Sequence, residues 1–203
     1  MGEKRRFEVQ REFDYRPAPV LLHGSQSLLA RSREEPIGSL WKRMGALLLA
    51  AFTVEGFINT VGPMLFKEQW NGADGTRGLE RQSWDSKLKQ IAKASGTSIN
   101  FGERPWSSIQ DVFKARDHLA HPKPRKDYLP PTVVNCYEDE VDALVEELAM
   151  TKFDRLLREE ALGQAIADIE VALKRLSLSV YGSEWEALLN GQKLTSIRDL
   201  DPL

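Results

Sequence analysis

Apolar residues recur at steps of three and four along several stretches of the chain, the spacing that places them on one face of a helix. The strongest stretch runs from residue 37 to residue 59 or beyond. Gly62 and Pro63 follow it, and a kink or an end is expected there because proline removes a helical hydrogen bond. Trp41 and Trp84 occupy apolar positions and are predicted to lie in the core. The residues that form the apolar stripe of this strongest stretch are Ile37, Leu40, Trp41, Met44, Leu47, Leu48, Ala51 and Ile58.

Four further stretches carry the same helical spacing. Residues 79–94 form a thinner stripe that ends before Gly96, and residues 105–121 form a stripe that ends before Pro122. A short stretch spans 141–148, and a long one spans 153–180 before Gly182. No alternation of strands with helices is visible. The chain is therefore predicted to be all-α, an antiparallel bundle of four or five helices joined by loops.

The first 36 residues differ from the rest and are predicted to form an N-terminal arm. A strand-like alternation comes first, and chain-breaking residues follow: Phe7, Val9, Phe13 and Tyr15, then Pro17, Pro19 and Gly24. The strand could pair with residues 132–134 as a short β-ribbon, or the arm could be irregular coil on the surface. The predicted division is an arm over 1–36, a helical domain over 37–190 and a C-terminal tail over 191–203 with little to bury.

Composition limits the classes of function. The 203 residues carry a net charge of −2, so any nucleic-acid binding needs a local basic patch. The lone cysteine, Cys136, excludes an internal disulfide and fits a reducing compartment. No secretory signal follows Met1, and the longest apolar run, Met44 to Val54, is too short to span a bilayer. We therefore expect a cytoplasmic protein that does not bind membranes.

Two charged residues of opposite sign interrupt apolar stripes. Glu55 lies in the stripe of the strongest helix, and Arg116 lies in the stripe that ends at Pro122. Because an unpaired buried charge costs several kcal/mol, the two are predicted to pair inside the bundle, with Asn59 joining by a hydrogen bond. Such a group can serve as a polar clasp that sets the register of two helices, or it can support chemistry at Arg116.

His121 closes the third predicted helix, because a residue before proline is disfavoured in the helical conformation. Asp117 stands four residues before His121, where two side chains meet on a helix, and Arg116 stands five before it. Imidazole exchanges protons near neutral pH, guanidinium binds phosphate through two parallel hydrogen bonds, and a carboxylate can orient the ring. The three are candidates for phosphodiester chemistry; the alternative for His121 is a favourable interaction with the helix dipole.

In Arg116, Asp117 and His121, an arginine is followed at once by a polar residue, and a histidine stands five positions after the arginine. This motif resembles the signature of the HEPN family. The resemblance spans roughly residues 37–181 and implies an all-α bundle. Many HEPN proteins are metal-independent endoribonucleases, often toxins or defence effectors, in which two motifs face one cleft of a homodimer; others are catalytically silent. The resemblance thus implies catalytic roles for the three residues, with no cofactor.

A basic cluster of Lys123, Arg125 and Lys126 directly follows the motif and is predicted to bind RNA; solvated surface is the alternative. A metal site is not expected, because His118 and His121 do not supply the three aimed ligands of a catalytic zinc. Two functions therefore stay open. One is an RNA-cleaving homodimer, controlled by an antitoxin or another regulatory protein. The other is a non-catalytic helical module for protein interaction or nucleotide binding.

Overall fold

The structure, a computed structural model, describes residues 7–72, 77–121, 133, 137, 150–184, 188 and 191–199. This part of the chain is mostly helical, which confirms the predicted all-α class. In chain order the helices are α1 (Pro17–Glu34), α2 (Ser39–Phe66), α3 (Glu68–Asn71), α4 (Trp84–Ala94), α5 (Trp106–Ala120), α6 (Lys152–Leu156) and α7 (Glu159–Tyr181). A 3₁₀ turn covers Leu79–Arg81, and the strands are β1 (Phe7–Asp14) and β2 (Gly191–Asp199). The predicted stretch 141–148 lies outside the described residues.

Helix α1 occupies most of the predicted arm, so the expectation of a broken chain after residue 15 was wrong. Pro17 and Pro19 lie in the first turn, where backbone N–H groups have no helical partner and proline loses nothing. Gly24 faces Leu49 of α2, whose Cδ1 would lie 3.0 Å from a Cβ at that position. Ser25 donates its hydroxyl to the carbonyl of Ala46 at 2.7 Å. Residues that suggested a break therefore begin α1 and bring it close to α2.

Helix α2 continues through Gly62 and Pro63 to Phe66, so the kink or end expected at Gly62-Pro63 is not an end. Proline deprives the carbonyl of Asn59 of its helical donor. Pro63 and Asn59 are both exposed, and water can replace that donor. Gly62 has a separate role, because a Cβ there would lie 2.1 Å from the ring of buried Trp70 in α3.

By length and composition alone α2 could cross a membrane, the single such helix in the described part of the chain. The most apolar 18-residue segment of α2 is 56% buried inside the fold, and a helix in the core of a soluble protein can be equally long and apolar. The start of α2 departs from the predicted stripe, since Ile37 is 94% exposed, Leu40 46% and Trp41 71%. The prediction that Trp41 lies in the core was wrong, and Trp84 is only half-buried. Periodicity identifies a helix face, but a turn is buried only where another element covers it.

Strand β1 was predicted, but its partner was not. It pairs antiparallel with β2, from Phe7 opposite Asp199 to Asp14 opposite Gly191, with an irregularity between Gln10 and Arg11. Residues 191–199 are therefore a strand rather than a tail, whereas the other partner considered for β1, residues 132–134, lies outside the described residues except for Val133. Backbone hydrogen bonds hold such a ribbon together, so a segment with few apolar residues can still pair.

The chain divides into two units, with α1, α2 and α7 contributing to both. The first contains residues 1–20, 55–97 and 174–203, and the second contains 21–54 and 98–173. Fully buried side chains of the first include Phe57, Ile58, Leu88, Ile91 and Leu176. Those of the second include Leu47, Val54, Ile109, Phe113, Leu162, Ile169 and Leu173.

Helix ends agree with the predicted signals at two glycines. Gly96 follows α4 with φ +73°, its N–H donates to Lys93 O, and the Thr97 N–H donates to Ala92 O at 2.8 Å. This pair of bonds satisfies carbonyls that the last helical turn leaves open. Gly182 ends α7 with the same φ.

Candidate functional site

Helix α5 belongs to the second unit, and the motif of Arg116, Asp117 and His121 lies at its C-terminal end. It buries Trp106, Ile109, Val112, Phe113 and Ala115 on one face and ends at His121, whose φ of −129° and ψ of 59° leave the helical region. The His121 N–H still donates to Asp117 O at 3.0 Å. The predicted end of this helix is thus confirmed, and the motif occupies its last turn.

Arg116 lies at the edge of the buried face, with its side chain 22% exposed. Its guanidinium carbon is 5.1 Å from the centroid of the Phe113 ring, a cation–π arrangement. Its Nη1 is 3.4 Å from Oδ1 of Asp117. Two neighbours on its own helix therefore hold the guanidinium, and the carboxylate offsets part of its charge.

Asp117 and His121 are exposed, and the side chain of Asp117 is 57% accessible. An accessible imidazole can meet a substrate. His118 is also exposed, and its ring centroid lies 4.9 Å from that of Phe153 in α6. This contact gives His118 a packing role between two helices of the second unit.

The remaining predicted site residues do not all belong to the unit that contains Arg116. Glu55 is half-buried and Asn59 is exposed, and both belong to the first unit, whereas Arg116 belongs to the second. The pairing of Glu55 with Arg116 stays a prediction. The basic cluster of Lys123, Arg125 and Lys126 lies outside the described residues.

The sequence patterns did not lead us to predict the buried carboxylate of Asp168 in the second unit. Asp168 of α7 is 6% exposed, and three side chains from other positions bind it. Arg104 donates from Nε at 2.7 Å and from Nη2 at 2.8 Å, the hydroxyl of Ser108 donates to Oδ2, and Nε2 of Gln164 donates at 3.2 Å. Burial by itself raises the pKa of Asp168, but the hydrogen bonds from Arg104 and Ser108 outweigh it and lower that pKa below its usual value.

This Asp168 cluster contains no free acid or base for catalysis, because every partner donates to a carboxylate that is held ionised. It ties the segment before α5 and the first turns of α5 to α7, and so positions the helix that carries the motif. A signal was present in the sequence. Asp168 stands between Ala165 and Ala172 in the apolar stripe of the last helix, as Arg116 does in its own.

Within the described ranges, no group of three or more histidine, cysteine, aspartate or glutamate side chains could hold a metal ion. Cys136 lies outside those ranges. No protein-family model, no curated protein and no solved structure matches the chain. The family resemblance therefore rests on Arg116, Asp117 and His121.

Proposed function

We propose that the protein is a metal-independent endoribonuclease of the HEPN type. The observation that supports this best is the last turn of α5, where exposed His121 follows a half-buried Arg116 that Phe113 and Asp117 hold in place. A held guanidinium loses little conformational entropy when it binds a phosphate. The histidine has the accessibility that proton transfer to a substrate requires.

In the proposed reaction the 2′-hydroxyl of a ribose attacks the adjacent phosphorus. His121 accepts the hydroxyl proton, the bond from phosphorus to the 5′-oxygen breaks, and that oxygen leaves with a proton. The products are a 2′,3′-cyclic phosphate and a 5′-hydroxyl end. Arg116 stabilises the charge that develops on the phosphorane oxygens, and Asp117 orients the imidazole.

One histidine cannot readily serve as both the base and the acid. The proposal therefore includes a homodimer of HEPN-like helical bundles in which two copies of His121 serve one cleft. Lys123, Arg125 and Lys126 would bind the phosphates that flank the cleaved bond, so changing all three to glutamine should weaken binding and reduce its salt dependence. The setting that fits is a cytoplasmic toxin or defence effector held in check by a regulatory protein.

The test compares His121→Ala with His118→Ala on a labelled RNA. Both histidines are exposed near the same helix end, and since His118→Ala loses the contact with Phe153, circular dichroism verifies that both variants are folded. His121→Ala should abolish cleavage, His118→Ala should retain it, and wild-type cleavage should persist in EDTA. Product ends are identified by mass spectrometry. Equal cleavage by wild type and His121→Ala, or no cleavage by either, would eliminate the nuclease proposal.

One observation favours a second function, a non-catalytic helical module for protein interaction or nucleotide binding. The contacts of Arg116 with Phe113 and Asp117 already give its guanidinium a structural role. In this case purified protein cuts no RNA, and Arg116→Ala lowers the stability of the fold while His121→Ala leaves it unchanged. Urea unfolding of the two variants measures this difference.

A further inference from the structure

A second basic site lies in the first unit, where the chain returns after α3. Gly78 approaches the end of α3 so closely that a Cβ would lie 2.3 Å from the carbonyl oxygen of Trp70. The 3₁₀ turn Leu79–Arg81 follows at once. This geometry sets the backbone of Arg77 and Arg81 on the wall of an open surface pocket of about 390 Å³. Its lining is Arg77, Gly78, Arg81, Gln82, Ser83 and Ser86.

The amide of Gln82 is oriented within this pocket. Its Oε1 accepts hydrogen bonds from the hydroxyl of Ser86 at 2.7 Å and from Nε2 of Gln90 at 2.6 Å. Because both donors use the oxygen, the Nε2 group of Gln82 points away from them with its two N–H donors. The oxygen of Gln82 is therefore already used, and its Nε2 group is left to donate to a ligand.

Among the residues that line the pocket, two are arginines and none has a carboxylate. Arg77 and Arg81 are both exposed. The nearby carboxylate of Asp85 is held by the hydroxyl of Ser83 and lies 3.5 Å from Nζ of Lys89. Asp85 thus already occupies the first turn of α4, and an anion in the pocket would rely on the two guanidinium groups and the Gln82 amide.

We propose that this pocket binds a phosphate group through Arg77, Arg81 and Nε2 of Gln82. Two guanidinium groups and one amide offer charge-assisted and neutral hydrogen bonds to different phosphate oxygens. The phosphate belongs either to a small phosphorylated molecule or to an RNA backbone. The site does not depend on the proposed nuclease reaction, since none of its residues belongs to the motif.

Binding is measured by isothermal titration with pyrophosphate and by fluorescence anisotropy with a labelled oligoribonucleotide. The variant is the double change Arg77→Gln and Arg81→Gln, both at exposed positions. The matched control is Arg155→Gln with Arg175→Gln, which removes the same charge at two other exposed positions. Circular dichroism verifies that both variants are folded.

Wild type and control should bind pyrophosphate at millimolar concentration or below, and the pocket variant should bind at least about tenfold more weakly. A parallel loss of oligoribonucleotide binding assigns the site to RNA phosphates, whereas retained binding assigns it to small phosphorylated molecules. No binding by wild type, or equal binding by the pocket variant, would overturn the proposal.

Discussion

Arg104 binds the carboxylate of Asp168 through two hydrogen bonds, from Nε at 2.7 Å and from Nη2 at 2.8 Å, across 64 residues of sequence. The carboxylate is buried, whereas the side chain of Arg104 is 56% exposed. The arginine therefore keeps much of its hydration, and the pair avoids the full cost of burying two charges. Ser108 of α5 binds the same carboxylate, so the position of α5 depends on Asp168.

Asp168→Asn should lower the free energy of unfolding by about 1.5–3 kcal/mol, the cost of losing hydrogen bonds to a buried charged group. The asparagine amide also presents donors to Arg104, where the carboxylate presents only acceptors. Urea unfolding followed by circular dichroism measures the change. Glu160→Gln, on the exposed first turn of α7, is the control and should shift stability by less than about 0.5 kcal/mol. Equal effects of the two changes would contradict the prediction.

The same cluster predicts an acid dependence of stability. The partners of Asp168 lower its pKa in the folded state relative to an unfolded aspartate, whose pKa is about 3.9. Its contribution is therefore complete above that value and is lost as the pH falls through the lower, folded-state pKa. The difference in unfolding free energy between wild type and Asp168→Asn should be constant near neutral pH and should shrink in strong acid. A difference that grows on acidification would contradict this assignment.

Gly62 and Gly45 offer a matched pair in α2. A Cβ at Gly62 would lie 2.1 Å from the buried ring of Trp70, so Gly62→Ala should destabilise the protein by about 1–3 kcal/mol or more. A Cβ at Gly45 would lie 3.0 Å from the flexible Cδ1 of Leu28, and alanine gains about 1 kcal/mol of helix propensity. Thermal unfolding should show a clear decrease in Tm for Gly62→Ala and little change for Gly45→Ala. Similar values for both would show that the Trp70 ring can move aside.

The predicted pairing of Glu55 with Arg116 is tested by a double-mutant cycle. If the two side chains interact, Glu55→Ala costs about 3–5 kcal/mol because it leaves a charge without its partner. The second change, Arg116→Ala, should then cost less in the Glu55→Ala background, with a coupling of about 0.5–3 kcal/mol. Urea unfolding of the four proteins gives this coupling. Additive effects would show that Glu55 and Arg116 have separate partners.

Local patterns in the sequence were sufficient for the helical class and for several helix boundaries. Apolar spacing predicted helices that correspond to α2, α4 and α5, because the same positions that repeat along a helix form its buried face, but the single helix predicted over 153–180 is divided into α6 and α7. Helix ends at Gly96, His121 and Gly182 were predicted from single residues, since a positive φ or a following proline acts within one turn. The alternation from Phe7 likewise predicted β1.

Tertiary structure decided the features that depend on distant segments. Pro17 and Pro19 are compatible with a break or with a first helical turn, and only the close approach of α1 to α2 distinguishes the two. Trp41 falls on the predicted apolar stripe of α2, but its side chain is exposed. The pairing of β1 with β2 and the binding of Asp168 by Arg104 join residues far apart in sequence. Sequence periodicity reports which residues share a face, whereas burial and pairing depend on which distant element meets that face.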